Sequence, residues 1–244
     1  SYNRYRWAAL LINDGTGTFT DETSARGLDI VEGQALVCPM NWTIAFGDPD
    51  LDGDLDMVIG SWDVVGGNGT ATPSAFLEND GTGHFTDATE AVDLVHRREL
   101  FTFTPLFGDV NDDGWPDLAM TSDFLTNHLL LNDGDGTFTL EQPAGVEDVE
   151  NGMGGELVDL DDDGDLDWII TSIWDDRPEH ESLWGQTGNR IYLNDGTGAF
   201  TDVSEAWGLR NGRWAWGIDA FDVDNDGDLD IGWTNGHQSG EGAQ

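Results

Sequence analysis

Short apolar segments alternate with polar, glycine-rich segments along the whole chain. Typical apolar segments are Thr43–Phe46, Met57–Ile59, Ala75–Leu77 and Leu129–Leu131. Their lengths suit β-strands, and the Asn, Asp and Gly residues between them favour tight turns. No segment approaches the run of about 18 apolar residues that marks a membrane-spanning helix. The pattern predicts an all-β protein with no membrane span.

One of two alternating repeats predicts a β-hairpin. Its first copy, Asn13–Phe19, reads Asn-Asp-Gly-Thr-Gly-Thr-Phe, and further copies occupy Asn79–Phe85, Asn132–Phe138 and Asn194–Phe200. Each copy follows a short apolar run. The Asn, Asp and Gly residues supply the positive φ angles that a tight turn needs, and a Phe-Thr strand leads away from it.

The second repeat is acidic and also lies between strand-like segments. Its copies begin at Asp48, Asp109, Asp159 and Asp222, so both repeats return about every sixty residues. One period therefore holds two hairpins, or four strands. Four short strands in a repeat of this length are typical of a β-propeller blade.

The phase of the repeats predicts how blades divide the chain, which we interpret as a single propeller domain over residues 1–244. The predicted whole blades are about 42–86, 102–139 and 155–201. Half blades at 7–20 and 215–234 could combine into a fourth blade, closing a four-blade ring and removing exposed sheet edges. The alternative is that the chain is part of a larger propeller.

The acidic repeat predicts a calcium-binding loop. Counted from its first Asp, oxygen-bearing side chains stand at positions 1, 3, 5 and 9, with glycine at position 6. Ca²⁺ takes six to eight oxygen ligands, the glycine permits a sharp turn, and position 7 can offer its backbone carbonyl. We therefore predict about four Ca²⁺ ions. The predicted metal-binding residues are Asp48, Asp50, Asp52, Asp54 and Asp56; Asp109, Asn111, Asp113, Trp115 and Asp117; Asp159, Asp161, Asp163, Asp165 and Asp167; Asp222, Asp224, Asp226, Asp228 and Asp230.

These loops are not EF-hands, although their first halves match. Position 12, where an EF-hand has glutamate, holds Ile59, Met120, Ile170 and Trp233, and a strand follows where a helix should begin. Solvated acidic turns are the alternative, which four copies in one register disfavour. Magnesium fits less well because it demands a tighter octahedron, and transition metals prefer nitrogen or sulfur donors.

The charge of the chain limits its partners. It has 49 acidic and 9 basic residues, and its formal net charge is −40. Nucleic acids and anionic membranes are excluded as partners because both need a cationic surface. Such a chain repels itself unless bound cations or a saline medium neutralise it.

The single cysteine, Cys38, excludes an internal disulfide and a cysteine zinc cluster.

The paired repeats resemble the FG-GAP (VCBS) repeats of integrin α-subunit propellers and many secreted bacterial proteins. The resemblance is carried by Phe46-Gly47-Asp48 and Phe107-Gly108-Asp109, while the later copies begin Leu157-Val158-Asp159 and Ala220-Phe221-Asp222. The ending Thr234-Asn235-Gly236-His237 is similar to the cartilage acidic protein and UnbV-like group. The resemblance implies a propeller with calcium in its hairpin loops, secreted or at the cell surface. Most relatives have seven blades.

Strand alternation places the acidic and Asn-Asp-Gly loops at one end of each blade and the variable loops at the other. The variable loops span 61–74, 87–101, 171–189 and 202–214. Their tryptophans could stack on sugars, and their arginines and histidines could bind hydroxyls or carboxylates. The alternative is that the tryptophans pack between blades and the arginines are solvated. The predicted ligand face comprises Trp62, Arg97, Arg98, Trp174, Arg177, His180, Trp184 and Arg213.

The sequence favours a binding module over an enzyme. It has no nucleophile elbow, P-loop or zinc-protease motif. We expect an extracellular or cell-surface calcium-binding propeller that is not an enzyme and acts in adhesion or in binding glycans or proteins. The alternatives are a structural component of an extracellular assembly and a polysaccharide lyase or hydrolase working from the variable loops. The oligomeric state and the identity of the ligand are not predicted.

Overall fold

The computed structural model describes residues 9–28, 41–62, 64–65, 70–71, 74–94, 101–141, 146, 151–175 and 185–236. Every strand ladder among these residues is antiparallel. Within them, no helix has the length and hydropathy needed to cross a bilayer. The predicted all-β fold class is confirmed.

Three four-stranded sheets form the body of the molecule. The first has the order β3-β4-β7-β8, and a small hairpin, β5-β6, is inserted between its second and third strands. The strands of this blade and its insertion are β3 (Asn41–Gly47), β4 (Asp56–Ser61), β5 (Val64–Val65), β6 (Thr70–Ala71), β7 (Ala75–Asn79) and β8 (Phe85–Asp87).

The second and third sheets repeat this order, as β9-β10-β11-β12 and β13-β14-β15-β16. The strands of the second blade are β9 (Phe101–Gly108), β10 (Asp117–Asp123), β11 (His128–Asn132) and β12 (Phe138–Glu141). The strands of the third blade are β13 (Gly155–Val158), β14 (Asp167–Ile170), β15 (Arg190–Asn194) and β16 (Phe200–Asp202). Each blade is thus a four-stranded antiparallel meander, as a propeller requires.

Two further hairpins lie at the ends of the described chain. They are β1 (Leu11–Asn13) with β2 (Phe19–Asp21), and β17 (Ala215–Phe221) with β18 (Asp230–Asn235). They form separate two-stranded sheets, and no ladder among the described residues joins them into a fourth blade. The number of blades and the domain limits therefore stay predictions.

The second strand of each whole blade is buried along its entire length. All residues of β4, β10 and β14 are buried, because neighbouring blades cover both faces of each sheet. On β10, Leu118 and Met120 pack with Val58 and Phe76 of the first blade. Ala119, between them, packs instead with the third-blade cluster that contains Trp168. The core is therefore a series of blade-to-blade interfaces.

Glycines on the first strands let these interfaces close. A Cβ on Gly47 would lie 2.5 Å from the ring of Phe107, and one on Gly108 would lie 2.9 Å from Leu157. Phe107 and Leu157 occupy the same position in consecutive repeats. A bulky side chain of one blade therefore fills the space that glycine leaves on the blade before it.

Hydrogen bonds between neighbouring blades, near their first strands, order the blades around a common axis. The Thr43 hydroxyl donates to the Phe103 carbonyl, and the Thr104 hydroxyl donates to the Met153 carbonyl at 2.7 Å. The Thr171 hydroxyl, at the end of β14, donates to the Trp216 carbonyl at 2.5 Å. β3, β9, β13 and β17 therefore follow one another in chain order as the inner strands of a β-propeller.

Candidate metal loops and axial pocket

The four acidic loops share one backbone conformation. The residue at position 4 and the glycine at position 6 both have positive φ: Leu51 and Gly53, Asp112 and Gly114, Asp162 and Gly164, Asn225 and Gly227. In each loop the glycine N–H donates to the first Asp, at 3.1 Å to Asp48, 2.8 Å to Asp109, 3.0 Å to Asp159 and 3.1 Å to Asp222. The repeat in sequence is therefore a repeat in structure.

Carboxylates converge inside these loops. Oxygens within 4.8 Å of one another come from three aspartates in each of three loops: Asp48, Asp50 and Asp52; Asp159, Asp161 and Asp167; Asp222, Asp224 and Asp230. The loop that begins at Asp109 has an amide at position 3, and Asn111 Nδ2 donates to Asp113 Oδ2 at 3.0 Å. The predicted metal residues are thus brought together at positions 1, 3, 5 and 9, in different subsets from loop to loop.

The loops fit a hard divalent cation. The Asp48 Oδ1 atom is buried and has no hydrogen-bond partner among the described residues, as expected of an oxygen that coordinates a metal ion. Desolvation, and secondarily the charges of neighbouring aspartates, raise the pKa of Asp50 and Asp161. These side chains offer oxygen donors, which calcium prefers. A cation would relieve the crowding of charge, with positions 1, 3, 5 and 9 holding it.

The aspartate at position 9 has a second task. Asp117 is fully buried, and its Oδ1 accepts the Asn132 N–H at 2.8 Å while its Oδ2 accepts the Val110 N–H at 3.0 Å. Asp167 makes the same two bonds, each 2.8 Å long, to Asn194 and Leu160. This carboxylate therefore joins the acidic loop to the Asn-Asp-Gly hairpin of its own blade.

Burial governs the protonation of these position-9 carboxyls. Desolvation raises the pKa of Asp56, Asp117 and Asp167 to about 6, although backbone hydrogen bonds oppose the shift. Asp230, in the last loop, is exposed and accepts the Val223 N–H at 3.1 Å. The first three position-9 aspartates thus carry a desolvation cost that a nearby cation would offset.

The side chain at position 7 does not join these clusters. Asp54 and Asp165 instead lie against the glycines of the adjacent hairpin, so that a Cβ on Gly81 or Gly196 would meet their carboxylates. Trp115 occupies the position in the second loop, with its indole near Gly134. Position 7 was predicted to contribute a backbone carbonyl, which needs no particular side chain.

In the second and third blades, the hairpin asparagine ties the acidic loop of its own blade to the acidic loop of the preceding blade. Asn132 Nδ2 donates to the Pro116 carbonyl of its own loop at 3.0 Å and to the Pro49 carbonyl of the preceding loop at 2.7 Å. Asn194 Nδ2 repeats this with Leu166 at 3.1 Å and Val110 at 2.7 Å. The metal loops and hairpins therefore form one hydrogen-bonded network at this end of the propeller.

A pocket of about 200 Å³ lies at the other end of the inner strands. Four of its lining residues, Trp42, Phe103, Met153 and Trp216, each stand six residues before the first Asp of an acidic loop. Because these positions are equivalent in the repeat, they converge where the blades meet. The pocket is therefore axial and lies at the end that carries the variable loops.

Further lining residues of the pocket come from the ends of the second strands or just beyond them. Trp62, Asp123 and Ile173 each lie fourteen residues after the first Asp of their repeat, and Asn151 and Trp214 complete the lining. Asp123 accepts the Trp62 Nε1–H at 3.0 Å and the Asn151 Nδ2–H at 2.7 Å. These bonds fix the indole and the amide around one buried carboxylate.

Three tryptophans surround Phe103 in this pocket. Its ring centroid lies 5.1 Å from that of Trp42, 5.5 Å from that of Trp216 and 5.9 Å from that of Trp62. Such spacings stabilise aromatic pairs beyond their buried area. The walls are thus held by mutual packing of the rings.

The predicted ligand face is only partly assembled in this structure. Trp62 lines the pocket, whereas the Trp174 ring centroid lies 5.3 Å from the Arg210 guanidinium and the Trp174 backbone N–H donates to the Arg213 carbonyl. Arg97, Arg98, Arg177, His180 and Trp184 lie outside the described residues. The other pocket residues were not predicted, although aligning the four repeats would have shown that Trp42, Phe103, Met153 and Trp216 are equivalent.

Comparison with known proteins supports the repeat and the fold. A family model described as the FG-GAP-like repeat matches residues 109–170 and 182–233. No curated protein sequence matches the chain significantly.

A lectin structure from Agrocybe aegerita, titled for specific recognition of non-reducing terminal N-acetylglucosamine, is similar in fold, with a TM-score of 0.51 and 16% identity. The match covers 91% of this chain and 54% of that one, so the chain spans about half the length of the lectin structure. The acidic hairpins, the four-stranded blades and the family match together show that the chain contains FG-GAP-like repeats, over residues 109–170 and 182–233.

Proposed function

We propose that the chain is a calcium-binding propeller that works outside the cell as a non-catalytic binding module for a glycan or protein partner. The observation that carries the proposal is the separation of its two ends. One end holds four acidic loops of common conformation, and the other holds an aromatic pocket between the variable loops.

Calcium would act on the scaffold in this proposal. Bound in the acidic loops, it would supply positive charge where carboxylates crowd and cross-link residues that lie on either side of a turn. The chain's own asparagines extend that order from loop to loop, through the bonds of Asn132 and Asn194 to the preceding blade. Sites with affinities typical of extracellular modules fill at millimolar calcium, which favours a place outside the cell.

The variable-loop end would meet the partner. Aromatic rings in a concave site give large contact area at small cost in conformational entropy, and a few polar groups fix orientation. The similar lectin structure, by its title, recognises terminal N-acetylglucosamine. That makes glycans with this terminus the first candidates to test, with extracellular proteins as the second group.

A binding screen tests the proposal. The protein is applied in calcium to an array of glycans, including those ending in N-acetylglucosamine, and to a panel of extracellular proteins. We expect a partner that is retained in calcium and lost in excess chelator. Trp62→Ala should weaken retention at least tenfold, whereas Phe221→Ala, which removes an exposed aromatic ring at the metal-loop end, should not. Equal retention by both variants would place binding elsewhere, and retention of nothing in calcium would contradict the proposal.

A further inference from the structure

The axial pocket combines aromatic walls with one carboxylate and one amide. Apart from Asp123 and Asn151, every described lining residue is aromatic or aliphatic. Asp123 is 7% exposed, and none of the ion pairs among the described residues involves it. Its carboxylate is stabilised by three N–H donors, those of Phe124, Trp62 and Asn151, none of which carries a positive charge. The site is thus one buried negative charge among ring systems.

Asn151 adds a second acceptor. Its amide nitrogen is committed to Asp123, and its Oδ1 is buried without a hydrogen-bond partner among the described residues. With its nitrogen held by Asp123, the Asn151 amide has its oxygen, the negative end of the amide dipole, left to accept a hydrogen bond. A buried acceptor that lacks a donor is stabilised by an occupant that supplies positive charge or a hydrogen-bond donor.

The lining of the pocket offers a sugar ring few polar partners. Its volume, about 200 Å³, suits one compact group rather than a drug-sized ligand. A sugar would also bring several hydroxyls that need partners of both kinds, and each one left unpaired weakens binding. The pocket suits a single compact group that needs few directed hydrogen bonds.

An anion is disfavoured by charge. The chain carries a formal charge of −40, so its field concentrates cations and repels anions. Aromatic faces carry negative electrostatic potential and attract ammonium groups, most strongly when water is excluded. The rings around Phe103 and the Asp123 carboxylate therefore favour the same kind of occupant.

We propose that the axial pocket binds an organic ammonium cation, in particular a methylated or quaternary ammonium group, with Trp42, Trp62, Phe103 and Trp216 around it and Asp123 as its counter-ion. The inference rests on the proposed function in placing recognition at the variable-loop end. It deepens the protein-partner branch of that function, because a glycan ending in N-acetylglucosamine carries no ammonium group, and it names the chemistry of the group that enters the pocket.

The test compares two probes that have the same shape. Choline is titrated into the calcium-loaded protein by calorimetry, alongside its neutral isostere in which carbon replaces the ammonium nitrogen. We expect choline to bind at least tenfold more tightly than the isostere. Equal affinities would show a merely apolar pocket, and absence of choline binding up to tens of millimolar would also overturn the inference.

A pair of charge-matched variants locates the site. Asp123→Asn removes the proposed counter-ion and should weaken choline binding about tenfold. Asp112→Asn makes the same charge change at the metal-loop end, outside the ligand positions, and should leave choline binding unchanged. Thermal melts check that both variants fold, and if Asp123→Asn does not, the wild-type comparison of choline with its isostere still decides. Equal choline binding by two folded variants would refute the role of Asp123.

The outcome is separable from that of the binding screen. Failure of choline to bind leaves a glycan or protein partner found on the array unaffected. Conversely, an array that retains nothing leaves a selective choline site intact. N-acetylglucosamine is included as a third titrant, and tighter binding of this sugar than of choline would contradict the assignment of the pocket to a cation.

Discussion

At the scale of the residue, aspartates at positions 3 and 7 of the acidic loops have different roles. Position 3 contributes to the cluster of oxygens, as Asp161 does beside Asp159 and Asp167. The side chain at position 7 projects toward the neighbouring hairpin, where Asp165 lies near Gly196. Desolvation, and secondarily the charge of Asp163 and other aspartates, raises the pKa of Asp165. The same side chain is therefore a ligand candidate at one position and a source of repulsion at another.

Substituting these two positions in one loop tests the distinction. Asp161→Asn should lower calcium affinity in its loop by at least tenfold, because an amide oxygen carries no net charge. Asp165→Asn should leave calcium affinity nearly unchanged and should not destabilise the metal-free protein, because it relieves repulsion. Calcium titration by calorimetry and melting in chelator measure both effects. An equal loss of affinity in the two variants would contradict the assignment.

Residue spacing alone predicted the acidic loops but not the whole role of position 9. The oxygen pattern at positions 1, 3, 5 and 9 with glycine at 6 requires no tertiary information. That Asp117 also accepts N–H groups from Val110 and Asn132 depends on how two hairpins meet, which the local pattern does not encode. The pocket was missed for the same reason, since Phe103 and Asp123 lie on different strands of a hairpin and read separately as core and loop residues.

At the scale of the element, the Asn-Asp-Gly hairpin is both a turn and a clamp. Asn13 and Asn132 each accept two glycine N–H groups within their own turns. Asn132 additionally donates to carbonyls of two acidic loops, whereas Asn13 Nδ2 has no described partner. The turn chemistry was predictable from the sequence, but the link between blades needed the fold.

This difference gives a matched pair of alanine variants. Asn132→Ala should destabilise the protein by about 2–4 kcal/mol, because it removes the turn bonds and leaves two carbonyls without a donor. Asn13→Ala removes equivalent turn bonds but no link between blades, so the loss should be about 1 kcal/mol. Denaturant unfolding in calcium measures both. Equal losses would show that the bonds to Pro49 and Pro116 contribute nothing.

The interfaces between blades make a second prediction at this scale. Gly108→Ala would bring a Cβ to 2.8 Å from Leu166 and 2.9 Å from Leu157, so we expect a loss of about 1–3 kcal/mol from overpacking. Gly217→Ala meets nothing closer than the Thr234 hydroxyl at 3.4 Å and should cost less than about 1 kcal/mol. Chemical unfolding of the two variants decides, and a neutral Gly108→Ala would contradict the fit of blade to blade.

At the scale of the whole molecule, the repeat places acidic loops at one end and the aromatic pocket at the other. Composition predicted the need for neutralising cations, since a charge of −40 opposes a compact state. The repeat period predicted four-stranded blades, and the sheets confirm them. How the ends are completed could not be predicted, because β1-β2 and β17-β18 carry the repeat pattern whatever pairs with them.

Thermal unfolding with and without calcium tests the central claim, that the four acidic loops are calcium sites that stabilise the propeller. Melts are recorded in about 2 mM Ca²⁺ and in excess chelator, with Mg²⁺ as the control. With a Kd of about 10⁻⁴ M, each site contributes about 1.8 kcal/mol, and four independent sites about 7 kcal/mol. We expect a midpoint higher by more than about 10 °C in calcium than in chelator, and a much smaller gain in magnesium. The same midpoint in calcium and in chelator would contradict the account.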